Sequence, residues 1–394
     1  MPKSLIFLIC LPVLALFAGV SHADGPVRTF TADTRLRYEH LTNDANPDKP
    51  NVDTYSHDDK LRMRARVGVQ AEINSNTKAQ IRLATGKSLW GPGTKSETQD
   101  LGDFGGRKTV GFDLAYIDYA VNNDLHLIGG KGPNPFFSAG ENRMLWGSYV
   151  TFDGLEAIYT TKWDNWKPFA SLVYSEEVNR ADNSINGPDI YLTGIQAGSS
   201  FVAGDFTTTF AAGYYAYNNI KGFAPGSDSG LTAPLTTVDG NSLSGGTAAT
   251  SAYLNDYNEI NVGAQVVYPL GIGPLTVFGD AVSNTSCTDT SQSMALLGGL
   301  RLGELKNPSS WLAEYSYRDV GADSLFSMRG DPTFLNGFTN SYGHGVKLAY
   351  QIDKNLNAVL YYSGGKRPNK PNAALISTGT GAYEKAYIEV NATF

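Results

Sequence analysis

Three arginines stand at every second position in Leu61-Arg62-Met63-Arg64-Ala65-Arg66-Val67. On a β-strand that spacing puts all three guanidiniums on one face, whereas a helix would scatter them. Arg35 and Arg37 repeat the spacing upstream, and Lys78 and Arg82 continue it downstream. Adjacent strands lie about 4.8 Å apart, so cations on three consecutive strands would form one basic wall. The chemistry of such a wall is electrostatic. Facing open solvent it serves solubility; lining a narrow wet passage it sets which sign of ion enters. The unbroken period of two suits a wetted interior better than a solvated outer face.

The acids that could answer this wall are Asp113, Asp118, Glu141 and Glu156. Glu141 lies in the segment 133–151 with Asn134, Phe136, Phe137 and Arg143. Acids opposite an arginine ladder would make a transverse field that orients dipolar solutes. An exposed loop of ordinary turn residues fits the same segment equally well. Overall acidity suggests cations and the arginines suggest anions, so the sign of any selectivity stays open.

Covalent chemistry finds little support. Beyond residue 23 the histidines are His40, His57, His126 and His344. No nucleophile elbow, zinc-pair spacing or phosphate loop accompanies them. Gly343-His344-Gly345 falls on the apolar face of its segment, but no serine motif stands beside it. Gly102, Gly105 and Gly106 lack the strand-to-helix context that cradles phosphate. Cys287 reads as an incidental thiol. No catalytic residue, metal or cofactor is expected.

The chain has 394 residues, 41% hydrophobic and 18% charged, with 22 Tyr, 18 Phe and 43 Gly. Disordered chains are poor in aromatics and rich in charge, and coiled coils are dominated by Ala, Glu, Lys and Leu; neither description fits. A formal charge of −7 argues against a generally basic nucleic-acid binder. Lys3, the apolar run 5–18, and Ser21 and Ala23 at peptidase-like spacing predict an export signal cut after Ala23. Cys10 lies within the apolar run, without the context of a lipoprotein anchor. Losing Lys3 takes the mature charge from −7 to −8 and leaves Cys287 as the only thiol. An exported chain with one cysteine has no internal disulfide. Later apolar stretches, such as 294–300, are too short for a membrane helix. Any membrane protein here must be built from strands.

The dominant period is two. In 61–73 every odd residue is apolar and every even one is polar, charged or Gly. Residues 341–352 and 386–394 alternate as clearly. Weaker versions run through 29–41, 78–86, 109–121, 124–132, 152–163, 166–176, 188–199, 205–218, 256–268, 274–284, 292–303, 310–319 and 356–365, making sixteen candidate strands. The phase slips in 109–121, where Leu114 and Tyr116 give way to Ile117 and Tyr119; a bulge would explain it. Short connections alternate with the long ones 42–60, 87–108, 133–151, 177–187, 219–255, 285–291, 320–340 and 366–381. Most of the long ones are rich in Gly, Pro, Asn, Asp, Ser and Thr, as exposed loops should be. Residues 219–255 carry no strand pattern.

Strict short–long alternation predicts one all-β domain, 24–394, an up-and-down antiparallel barrel of sixteen transmembrane strands with short periplasmic turns and long outer loops. Two rivals remain: a plugged barrel serving as an adhesin or receptor through 219–255, and a secreted soluble β-sandwich. Trp163, Trp166, Tyr257, Tyr268 and Trp311 near strand ends suit interfacial girdles.

Phe394, with Ala392, Val390 and Ile388, resembles the C-terminal signal read by the outer-membrane assembly machinery. The stretch 61–162 resembles the putative porins of Gram-negative outer membranes. The residues carrying that likeness are the Arg-x-Arg-x-Arg strand, 81–86, Ala115-Tyr116-Ile117-Asp118, Gly130-Lys131, Asn134-Pro135-Phe136, Trp146 and Asp153-Gly154. Members tend to carry acids soon after the tryptophan, where this chain has Gly147-Ser148-Tyr149. The resemblance implies a water-filled channel for small hydrophilic solutes and ions, seated in outer-membrane lipid. It also implies a third long loop folded into the barrel, and assembly as a homotrimer.

Overall fold

The computed structural model describes residues 27–43, 56–86, 98–102, 104–179, 188–224, 240–244, 252–367 and 381–394. Among them sixteen long antiparallel strands follow one another in chain order. They are β1 (Val27–Asn43), β2 (Ser56–Asn74), β3 (Thr77–Thr85), β4 (Val110–Ala120), β5 (Leu125–Pro133), β6 (Thr151–Thr160), β7 (Trp166–Val178) and β8 (Ile190–Ala203). The second half comprises β9 (Phe206–Asn218), β10 (Tyr257–Leu270), β11 (Gly273–Asn284), β12 (Met294–Gly303), β13 (Trp311–Val320), β14 (Ser341–Asp353), β15 (Leu356–Arg367) and β16 (Gly381–Thr393). Each pairs with its sequence neighbours, and β1 pairs with both β2 and β16, so the sheet closes. The sixteen-stranded barrel expected from the alternation is the observed fold. The predicted export signal, Cys10, and parts of five long loops, including most of 219–255, lie outside the described residues.

Alternation explains which way each strand faces. On β2, Leu61, Val67 and Ile73 are each about half exposed on the outer surface, while Arg64 points inward and is 8% exposed. On β14, Val346, Leu348, Tyr350 and Ile352 face out, and Ser341 and Gln351 face in. A soluble sandwich hides its apolar faces between sheets; here they form the outer belt and the polar faces line the bore. That orientation rules out the sandwich. Trp163, Trp166, Phe206 and Trp311 ring the short-turn end of the outer surface, and Tyr38, Tyr174, Tyr214 and Tyr317 lie toward the other. Such rings match the two interfaces of a bilayer. No described helix is long and apolar enough to cross a membrane; the strands are the crossing elements.

The phase slip in β4 is a bulge, placed earlier than the alternation suggested. Arg82 pairs with Leu114 and Leu83 with Phe112, leaving Asp113 as the extra residue. Phe112 before it faces out, whereas Leu114 beyond it is buried inside. Asp113 is thereby turned into the bore, where its carboxylate meets Arg82 at 2.5 Å. A bulge of this kind re-aims one side chain at small cost to the ladder.

The interior is divided. Along β6–β13 the inward side chains join residues of three long loops in one apolar cluster that includes Phe136, Trp146, Phe152, Tyr215, Tyr257, Phe278 and Phe326. Along β16, β1, β2, β3 and β4 the inward side chains are predominantly charged or polar. A sixteen-stranded barrel is wide enough to enclose a lumen, and here the loops fill its β6–β13 sector.

Candidate functional site

The predicted cations all belong to the inward phase of their strands. The structure also puts acids among them. Asp33 on β1 accepts from Arg64 Nη2 and Arg66 Nε, each at 2.7 Å, so one carboxylate bridges two rungs. Glu389 on β16 is bonded by Arg37 at 2.7 Å and lies 3.4 Å from Arg35, whose Nε donates to Asn391 at 3.0 Å. Glu39 gathers Arg37 at 3.3 Å, Arg62 at 3.1 Å and Lys385 at 3.5 Å. Arg62 also meets Asp100 at 2.8 Å, on the two-residue strand Gln99–Asp100 that pairs with β2. The Arg37 guanidinium stacks over the Tyr387 ring, 3.8 Å from its centre. Lys78 lies apart, near the short turn, 3.5 Å from Glu72.

The expected basic wall is therefore a lattice of alternating charge, with its arginines held straight by carboxylates on their own wall. Such pairs are partly buried, and removing one member leaves the other exposed to a poorer solvent than water. The sequence reading missed Asp33, Glu39, Asp100, Glu389 and Lys385. For Asp33 and Glu39 the signal was present, since they share parity with Arg35 and Arg37 on β1.

The four candidate acids do not line up opposite the wall. Asp113 is part of it, through the bulge. Asp118 pairs with His126 at 2.8 Å on the neighbouring strand β5. Glu156 is 4% exposed, and neither of its oxygens has a hydrogen-bond partner among the described residues. It is packed against Gly132, where an added Cβ would lie 2.2 Å from Oε1. Glu141 is 83% exposed and lies 3.4 Å from Arg301 on β12.

The segment 134–150 leaves β5 and crosses the bore to β10–β13. Asn134 Oδ1 accepts from Phe136 N at 2.9 Å, a side-chain turn that starts the descent. Phe136 then enters the apolar cluster beside Trp146, Phe152 and Tyr215. Phe137 N–H donates to Gln196 Oε1 at 2.6 Å, and Gly140 N–H donates to Gln265 Oε1 at 2.8 Å. Gly140 needs its missing side chain: φ is +61° and a Cβ would lie 2.4 Å from the Phe278 ring. Asn142 accepts from Arg318 on β13. Arg143 is exposed and makes no ion pair among the described residues.

His344 is exposed on the outer face and shares a 2.7 Å hydrogen bond with Tyr315 OH. Among the described residues no cluster of His, Cys, Asp and Glu is fit to hold a metal ion. Burial pushes the Cys287 thiol up to about 11. At pH 7.5 it should therefore label with maleimide at least tenfold more slowly than a free cysteine of ordinary pKa near 8.5. Labelling at the free-cysteine rate would show an open thiol.

A family described as putative porins matches residues 24–244. No curated protein matches the sequence. Solved structures do match over nearly the whole chain. Salmonella typhi OmpF, in complex with daunomycin, is 13% identical, covers 95% of this chain and 99% of its own, and has a TM-score of 0.55. Pseudomonas putida OprB is 12% identical, with 94% of each chain covered and a TM-score of 0.56. The outer-membrane channel DcaP of Acinetobacter baumannii is 11% identical, covers 95% and 99%, and scores 0.51. At these identities the likeness is one of fold.

Proposed function

The chain belongs to the putative porin family, and we propose that it is an outer-membrane channel passing small hydrophilic solutes and ions by diffusion. The observation that carries this reading is the charged lattice lining one sector of a closed sixteen-stranded barrel whose apolar side chains face outward. Arg35, Arg37, Arg62, Arg64, Arg66 and Arg82 form its cationic rungs. The inward segment with Asn134, Phe136, Glu141 and Arg143 narrows the bore from the other side. Passage needs no cofactor and no covalent step. Export through a cleaved signal, recognition of Phe394 by the assembly machinery and assembly as a homotrimer belong to the same proposal.

Single-channel current in a planar bilayer across a salt gradient tests it. Discrete, stable steps support a channel. Silence from a folded, heat-modifiable barrel would favour the plugged adhesin or receptor, which the interlocked loops filling the β6–β13 sector also suit.

Selectivity follows from the lattice. Asp33→Asn removes one negative charge from between Arg64 and Arg66 and should shift the permeability ratio toward anions by about twofold. Neutralising Arg62, Arg64 and Arg66 strips cations from Asp33, Glu39 and Asp100 and should shift it toward cations. Unchanged reversal potentials in both variants would show that ions pass elsewhere.

A further inference from the structure

The long loop between β13 and β14 does more than cover its own edge. In a closed sheet of sixteen strands, β6 lies eight strands from β14, on the far side of the bore. The loop reaches that side. Gly147 N–H donates to the Arg329 carbonyl at 2.7 Å, and Tyr149 OH donates to the carbonyls of Met328 at 2.8 Å and Gly330 at 3.2 Å. The Arg329 guanidinium ends against the Glu177 carboxylate on β7. There the ladder between β6 and β7 stops at Gly154↔Ser175, and Arg329 sits in the cleft above it with Lys131, Asp153 and Glu176.

From this far point the chain comes back. Asp331 meets Arg318 on β13 at 3.0 Å, and Lys385 on β16 donates to the Pro332 carbonyl at 3.1 Å. The near half is pinned by Asn241, whose Nδ2 donates to the carbonyls of Ala322 at 2.7 Å and Leu325 at 2.9 Å. Its Oδ1 accepts from Ser327 N at 2.9 Å. Segments 240–244, 134–150 and 321–340 are thus tied together across the mouth.

We infer that 321–340 is a second constricting element, a strap fixed across the bore that sets the largest solute admitted, with the Arg329–Glu177 pair as its far anchor. The inference rests on the channel reading and adds a determinant of size to it. The Gly147-Ser148-Tyr149 segment supplies the dock, through one backbone N–H and one phenol. Cutting the anchor removes the charged contact at the tip of a twenty-residue segment and loosens it, leaving that tip held by the Gly147 and Tyr149 hydrogen bonds. An anchored strap excludes solutes by its position; a loosened one samples conformations that leave the bore wider.

The test uses the full chain, refolded and checked for heat-dependent gel migration. Single-channel conductance and liposome swelling with sugars of increasing length are read for three proteins. These are the wild type, a Glu177→Gln/Arg329→Met double variant that leaves no lone buried charge, and a shortened variant with 326–337 replaced by Gly-Ser-Gly. Conducting wild type, with about twofold higher conductance and entry of longer sugars in either folded variant, supports the strap. Wild-type conductance and size limit in the folded shortened variant overturn it. Should that variant not fold, an unchanged size limit in the double variant overturns it. A silent wild type instead defeats the channel reading itself, before any variant is compared.

Discussion

Trp146→Ala should destabilise the barrel by about 3–5 kcal/mol, the range for truncating a buried tryptophan. Its indole is 2% exposed, stacked on Phe136 at 5.5 Å, with Tyr215 and Phe152 edge-on at 5.0 and 5.4 Å. Those aromatic pairs add to the transfer term. Trp146 is where the inward segment, the β6 wall and the β9 wall meet, so the loss is local before it is global. Urea unfolding in lipid vesicles would show the lower midpoint. Current traces should become noisy as 134–150 loosens. A wild-type midpoint would mean that this cluster does not hold the segment in the bore.

Val67→Arg tests the other face. Val67 is 54% exposed on the outer wall, seven residues from the short turn that follows Asn74, which places it near mid-membrane. Arginine there should cost about 2–4 kcal/mol of insertion energy. The cost is paired with a control three residues on, since Gln70 shares the inward phase of Arg64 and Arg66. Gln70→Arg should fold into vesicles like the wild type. Equal folding yields for the two variants would contradict the assignment of faces on β2.

The barrel was legible because the bilayer enforces alternation. Where lipid lies on one side and water on the other, each strand must keep one phase, and 61–73 and 341–352 do. Legibility failed where one residue broke phase locally: the alternation placed the slip near Tyr116, yet the bulge is at Asp113. The arginines were visible because three recur on one strand. Two of their partners were not, since Glu389 comes from the opposite end of the chain and Asp100 from inside a long connection. Glu141 and Asn134 could be marked as loop residues, but period-two reasoning says nothing about where a loop goes. The role of 321–340 depends on contacts between segments about 150 residues apart, such as Arg329 with Glu177, and no spacing rule reaches that far.

The pairing of β1 with β16 has a consequence in time. Eleven residue pairs join these strands, and the hydrogen bond from Arg35 to Asn391 spans 356 positions. Phe394 and Ala32 exchange both backbone hydrogen bonds, at 2.8 and 2.9 Å. No cylinder can therefore exist while the chain is still being made or exported. Until its last strand arrives, the growing sheet carries two bare edges, which are templates for aggregation. Closure must be late, slow and dependent on keeping those edges apart. The carboxylate that steadies Arg37 in the lattice, Glu389, reaches its arginines only when β16 joins β1, so that part of the charge pattern forms with the closed wall.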